Sequence, residues 1–88
     1  TALMVASING FSSVVSLLLK REGDIHQKSP TSGNSALHLA SRSGFYKTVA
    51  LLSAAEHGVG LLSRNSGDSV PLHLALAHGH LEVASLLI

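Results

Sequence analysis

Apolar residues in this chain fall into short clusters that return at a near-constant interval. The segments Thr1-Ala2-Leu3-Met4-Val5-Ala6, Ser35-Ala36-Leu37-His38-Leu39-Ala40 and Val70-Pro71-Leu72-His73-Leu74-Ala75 begin at positions 1, 35 and 70. Four residues after the last Ala of each comes a glycine: Gly10, Gly44 and Gly79. The register continues through Val15, Val49 and Ala84, then Leu17, Leu51 and Leu86, then Leu18, Leu52 and Leu87. Self-similarity at such a period marks a stacked repeat architecture. Units that touch only their neighbours offer an extended surface and few enclosed pockets.

Each unit reads as two short helices. The first spans about 2–9, 36–43 and 71–78, and the glycine ends it because only glycine adopts the left-handed C′ conformation without strain. Thr1 and Ser35 stand at N-cap positions, with a hydroxyl to accept a backbone N–H. Pro71 suits the first turn of a helix, where its missing N–H is not needed. The second helix spans about 12–22, 46–56 and 81–88, with Val14, Val15, Leu17 and Leu18 forming one stripe at helical spacing. Between units lie residues 27–34 and 63–69, rich in Gly, Pro, Asn, Asp and Ser, which favour turns. Both are too short for domain linkers and read as loops between repeats.

These residues resemble the ankyrin repeat family, whose motif is Gly-x-Thr-Pro-Leu-His-x-Ala, two variable residues, Gly-His and a Leu-Leu-rich helix. Gly33-Asn34-Ser35-Ala36-Leu37-His38-Leu39-Ala40 matches it with Ser for Thr and Ala for Pro. Pro71-Leu72-His73-Leu74-Ala75 through Gly79-His80-Leu81-Glu82-Val83-Ala84 is the nearest copy. The resemblance covers essentially the whole chain. It implies an all-α solenoid of stacked antiparallel helix-turn-helix units with β-turn fingers projecting between them. The units would run about 1–34, 35–69 and 70–88, the last of them partial.

Departures from the motif are local. The family period is about 33 residues, and both intervals here are longer. An extra residue at Ser69-Val70 puts Val70 where the capping Thr belongs, with Ser69 a candidate cap one position earlier. Met4 replaces the motif histidine in the first copy. The run 54–62 loosely replaces the usual Gly-Ala-Asp-Val-Asn segment, so the second outer helix and the second finger are where the family geometry is expected to hold least.

Composition excludes several function classes. Hydrophobic residues make up 45% of the 88 positions and charged residues 12%, with a net charge of +1. So little charge argues against an electrostatic nucleic-acid or membrane surface. No run of about 18 apolar residues exists to span a bilayer, and no secretory leader pattern is present. With no cysteine there are no disulfides and no thiol chemistry; a cytoplasmic or nuclear location is expected. The apolar Ser85-Leu86-Leu87-Ile88 is unlike a polar capping unit, which leads to the expectation of a longer repeat array.

Candidate chemistry is sparse. In the family the motif histidine, here His38 and His73, hydrogen-bonds loop backbone and orders the finger. Among the six histidines, His73, His78 and His80 are densest, with His57 in reach from the neighbouring unit. His73 and His78 are five apart and diverge by about 140° on a helix, and neither cysteine nor carboxylate completes a set of four. No metal site and no cofactor are expected. No Gly-x-Ser-x-Gly elbow positions the serines with Asp24 or Asp68, and Gly58-Val59-Gly60-Leu61-Leu62-Ser63 lacks the third glycine of a dinucleotide loop. It reads as an inter-repeat turn, and the chain as a non-enzyme.

Recognition remains. The resemblance implies partner contacts at finger tips and at the two residues before each helix-ending glycine. Carried over by position, the tips are Thr31, Ser32 and Asn34, then Asn65, Ser66 and Asp68. The inner pairs are Ile8 and Asn9, Arg42 and Ser43, and Ala77 and His78. Together they would line one concave, short-chained, hydrogen-bonding groove with Arg42 as its charged anchor. Phe45 is expected in the core. Tyr46 is either a contact or a solvated residue at a helix start. The implied function is binding of a protein or peptide without catalysis. The alternative is a targeting arm of a larger enzyme, channel or effector whose activity lies elsewhere.

Overall fold

The computed structural model describes residues 2–21, 27–55 and 59–88. Among the described residues six helices follow one another: α1 (Ala2–Ile8), α2 (Ser12–Arg21), α3 (Ala36–Ser43), α4 (Tyr46–Ala55), α5 (Pro71–Ala77) and α6 (Leu81–Leu87). A 3-10 turn at Val59–Leu62 lies between α4 and α5. Among the described residues there is no strand. Helices pack in pairs, α1 with α2, α3 with α4 and α5 with α6, and the pairs stack. The result is an inner layer of α1, α3 and α5 and an outer layer of α2, α4 and α6. The sequence-derived helices agree within a residue or two; Thr1, Glu22 and Glu56, which bound three of them, lie outside the described residues.

Local chemistry sets the helix ends. Gly10, Gly44 and Gly79 have φ of 70°, 79° and 75°. With the glycine left-handed, the next N–H turns back on the helix, and Phe11, Phe45 and His80 donate to the carbonyls of Ala6, Ala40 and Ala75 at 3.0, 3.2 and 2.9 Å. Otherwise orphaned C-terminal carbonyls are thereby satisfied. At the start of α3, the Ser35 hydroxyl accepts from the His38 N–H at 3.4 Å, and the His38 ring accepts from the Ser35 N–H at 3.2 Å. The start of α5 keeps only half of this exchange. Val70 itself holds the cap position (φ −89°, ψ 164°) without a side-chain bond, and the His73 ring accepts its N–H at 3.3 Å. Ser69 therefore does not cap α5.

Packing follows the register. Ala6, Ala40 and Ala75 are buried at equivalent points of the three inner helices, next to Leu3 and Leu37. Small side chains there let the inner helices approach closely. Ser7 and Ser41 are also fully buried; their hydroxyls donate to the carbonyls of Leu3 and Leu37, each at 2.7 Å, so neither is left unpaired. Val15, Val49, Leu52, Val83, Ala84 and Leu87 complete the core from the outer layer. Burying a side chain the size of Leu37 or Leu52 contributes about 1.5–3 kcal/mol.

Two expectations need correction. Phe45 is 38% exposed and Phe11 58%, so neither belongs to the core. The Phe45 ring lies across Gly10 of the preceding unit, where a Cβ would sit 2.6 Å from it. His80, which the family's Gly-His position implies would pack on the next helix, instead holds the place equivalent to Phe45 and packs back on the preceding unit. Its ring would be 2.5 Å from a Cβ on Gly44, and its Nε2–H donates to the Arg42 carbonyl at 2.9 Å.

Candidate functional site

The two inter-repeat fingers are built as one hydrogen-bonded unit. In the first, the Ser29 N–H donates to the Asn34 carbonyl and the Gly33 N–H to the Ser29 carbonyl, both at 2.9 Å. In the second, the Asn65 N–H donates to the Ser69 carbonyl and the Asp68 N–H to the Asn65 carbonyl, again at 2.9 Å. Asp68 takes a left-handed φ of 63°, a conformation that Asp tolerates better than most residues. Three bonds join the fingers: Ser66 N–H to the Ser32 carbonyl at 2.9 Å, Asn65 Nδ2–H to Asn34 Oδ1 at 2.8 Å, and Lys28 Nζ to the Arg64 carbonyl at 2.8 Å. Gly33 allows this approach, because a Cβ there would lie 2.7 Å from the Ser66 nitrogen.

His38 ties the second finger to α3. Its Nε2–H donates to the Ser69 carbonyl at 2.9 Å. That leaves Nδ1 as the acceptor for the Ser35 N–H and hydroxyl, at 3.2 and 2.9 Å. Both ring nitrogens are used by the neutral tautomer. Burial pushes the His38 pKa below the ordinary imidazole value of 6.5, Lys28 adds to the depression, and the Ser69 carbonyl opposes it.

The sequence-derived contact residues separate into two groups. Asn34 is buried, and Asn65 is half-buried with its Oδ1 accepting from the N–H groups of Gly67 and Ser69 at 2.9 and 3.0 Å. Their amides hold the fingers together. Ser32 is half-buried too, its hydroxyl accepting from the Asn34 N–H at 3.3 Å. By contrast Thr31, Ser66 and Asp68 are exposed. Asp68 pairs loosely with Arg64 at 3.4 Å, both side chains well solvated; such a pair contributes little. The signal that could have separated the groups is a chain-distant pairing, and one sequence does not display it.

On the inner helices, Ile8, Arg42 and Ser43 are half-buried, while Asn9, Ala77 and His78 are exposed. The Asn9 amide donates back to the Val5 carbonyl at 2.8 Å. The His78 and His80 rings stack with centroids 6.4 Å apart. Among the described residues Arg42 has no carboxylate partner. Tyr46 is exposed at the start of α4. Away from these residues, a shallow groove of about 440 Å³ runs between α2 and α4, lined by Ser12, Ser13, Ser16, Ala50, Leu51 and Ala54, with Lys47 as its one charge.

Among the described residues no three His, Cys, Asp or Glu side chains are grouped to hold a metal; His57, Asp24 and Glu56 lie outside them. Nor is any described helix long and apolar enough to cross a membrane. The family model described as ankyrin repeats, in three copies, matches residues 3–88. No curated protein matches the chain.

Proposed function

We propose that this chain, which belongs to the ankyrin repeat family, binds a protein or peptide along the exposed finger residues and the ends of its inner helices. Ankyrin repeats are generally protein–protein interaction modules and generally non-catalytic. Within that role, the contact set we propose is Thr31, Ser66 and Asp68 on the fingers, with Ile8, Arg42, Ser43, Tyr46, Ala77 and His78 beside them. Asn34 and Asn65 act beneath this surface, holding it in shape. The bonds between the fingers mean that little ordering is required of this chain on binding, which preserves affinity.

One observation carries the reading: Arg42, a half-buried residue, has no carboxylate partner of its own among the described residues. Arginine matches a carboxylate in a two-pronged contact, so a partner bearing an acidic side chain near apolar or aromatic residues fits best. The test is selection of binders from a displayed peptide library, followed by titration against variants. Arg42→Ala is expected to weaken the selected peptides by about tenfold or more with an unchanged thermal melt. Peptides that bind Arg42→Ala, Asp68→Ala and His78→Ala as tightly as the parent would place the contact elsewhere.

A further inference from the structure

The groove on the outer layer is a product of sequence differences between two units that already touch. Its α2 wall is Ser12, Ser13 and Ser16, which stand at the register of Tyr46, Lys47 and Ala50 in α4. Two serines where α4 carries Tyr and Lys leave a space of about 440 Å³ over Ala50, Leu51 and Ala54. A unit stacked ahead of α1 and α2 would meet Val14 and Leu17, the register of Thr48 and Leu51. It would not meet this groove, whose walls α2 and α4 are packed on each other.

Charge on these two helices is one-sided. α2 ends in Lys20 and Arg21, α4 carries Lys47, and neither helix contains a carboxylate. Lys47 lines the groove near the start of α4. Ser13, Ser16 and Lys20 follow at three- and four-residue spacing, so Lys20 shares the groove face one turn past Ser16. Lys20 stands at the register of Ala54, seven positions beyond that of Lys47. The two cations therefore mark opposite ends of a groove about 10 Å long. Both are exposed, and among the described residues neither has a carboxylate partner. Between them lie only alkyl and hydroxyl groups.

We infer that this groove docks an amphipathic helix of a partner protein, one whose apolar residues are flanked by acidic residues two turns apart. A helix laid along the groove seats its apolar side chains at positions i+3 and i+4 over Leu51. Carboxylates at positions i and i+7 span the same length of about 10 Å and meet Lys47 and Lys20. So small a contact is weak and transient, and its exposed ion pairs make it sensitive to salt. The groove is separate from the fingers and the inner-helix ends, so neither reading depends on the other.

NMR titration of the isotope-labelled chain with a synthetic helical peptide tests it, the peptide carrying Glu at positions i and i+7 and Leu at i+3 and i+4. The amides of Ser13, Ser16, Lys47 and Leu51 are expected to shift saturably, and less so as salt is added, while those of Thr31 and Ser66 stay in place. Lys47→Glu should weaken this peptide by about fivefold or more. The same variant should bind a peptide with Lys in place of Glu more tightly than the parent does, which loss of folding could not produce. Ala54→Leu, which fills the groove without altering its charge, should weaken both peptides. Shifts confined to the fingers, no shift at any peptide concentration, or a Gln-for-Glu peptide bound equally well would overturn the inference. So would groove shifts that follow protein concentration without peptide, because a second copy would then be the occupant.

Discussion

The Nε2–H of His38 donates to the Ser69 carbonyl at 2.9 Å, across 31 positions of chain. The same ring accepts from Ser35 through Nδ1, so one neutral side chain fastens a helix start to the far finger. Protonation would place a second N–H where the Ser35 donor now sits. Burial lowers the His38 pKa from 6.5, so just below that value the unfolded chain binds more protons than the folded one. The stability due to His38 is full above about pH 6.5 and is lost as pH falls towards the folded pKa. Urea melts between about pH 8 and pH 5 are expected to show this loss, and His38→Gln should flatten it. An equally steep slope in His38→Gln would assign the effect to other groups.

Thr48 is the one buried side chain among the described residues whose polar atom finds no hydrogen-bond partner. The first and third units carry Val14 and Val83 at that register. Removing an unpaired buried hydroxyl while keeping the shape is expected to stabilise the fold by about 1–2 kcal/mol. For a chain of this size that is a rise in Tm of about 4 °C or more. Thr48→Val in a thermal melt checks it. An unchanged or lowered Tm would mean the hydroxyl is satisfied in solution.

Gly44 and Gly79 share a left-handed backbone but differ in surroundings. A methyl on Gly44 would meet the His80 ring at 2.5 Å, whereas one on Gly79 meets nothing. Both Ala substitutions incur the backbone strain of about 1–2 kcal/mol. Gly44→Ala adds displacement of a ring that is hydrogen-bonded to Arg42. Denaturant melts should therefore find Gly44→Ala the more damaging by about 1 kcal/mol or more. Equal losses would show that His80 yields without cost.

Asn65→Ala removes the acceptor for the Gly67 and Ser69 N–H groups and the donor to Asn34. The expected loss is about 1–3 kcal/mol, with faster amide exchange at Gly67 and Ser69 while amides in α1 and α2 keep their protection. Uniformly faster exchange would show that the fingers are not a separate unit.

Helices were legible because what bounds them is local. Ser35 caps α3 from its own hydroxyl, and Gly44 ends it from its own φ, so both can be read within a few residues. The fate of side chains at the unit junctions was less legible. Phe45 looked like core by its type and by its match to Phe11, but it packs on a glycine of another unit and stays 38% exposed. Asn34 looked like a finger tip by register, yet the stack brings Asn65 against it and closes it off.

The repeating spacing of Leu, Ala and Gly by itself determined the number of units, their helix pairs and the stacked all-helical class, because a helix needs only its own period and ends. Tertiary structure alone decided which polar residues are spent inside and which are offered. A hydrogen bond such as Asn34 to Asn65, or the covering of Gly44 by His80, exists only once separate units have been brought side by side. Such contacts depend on distance in space, which a single sequence does not encode.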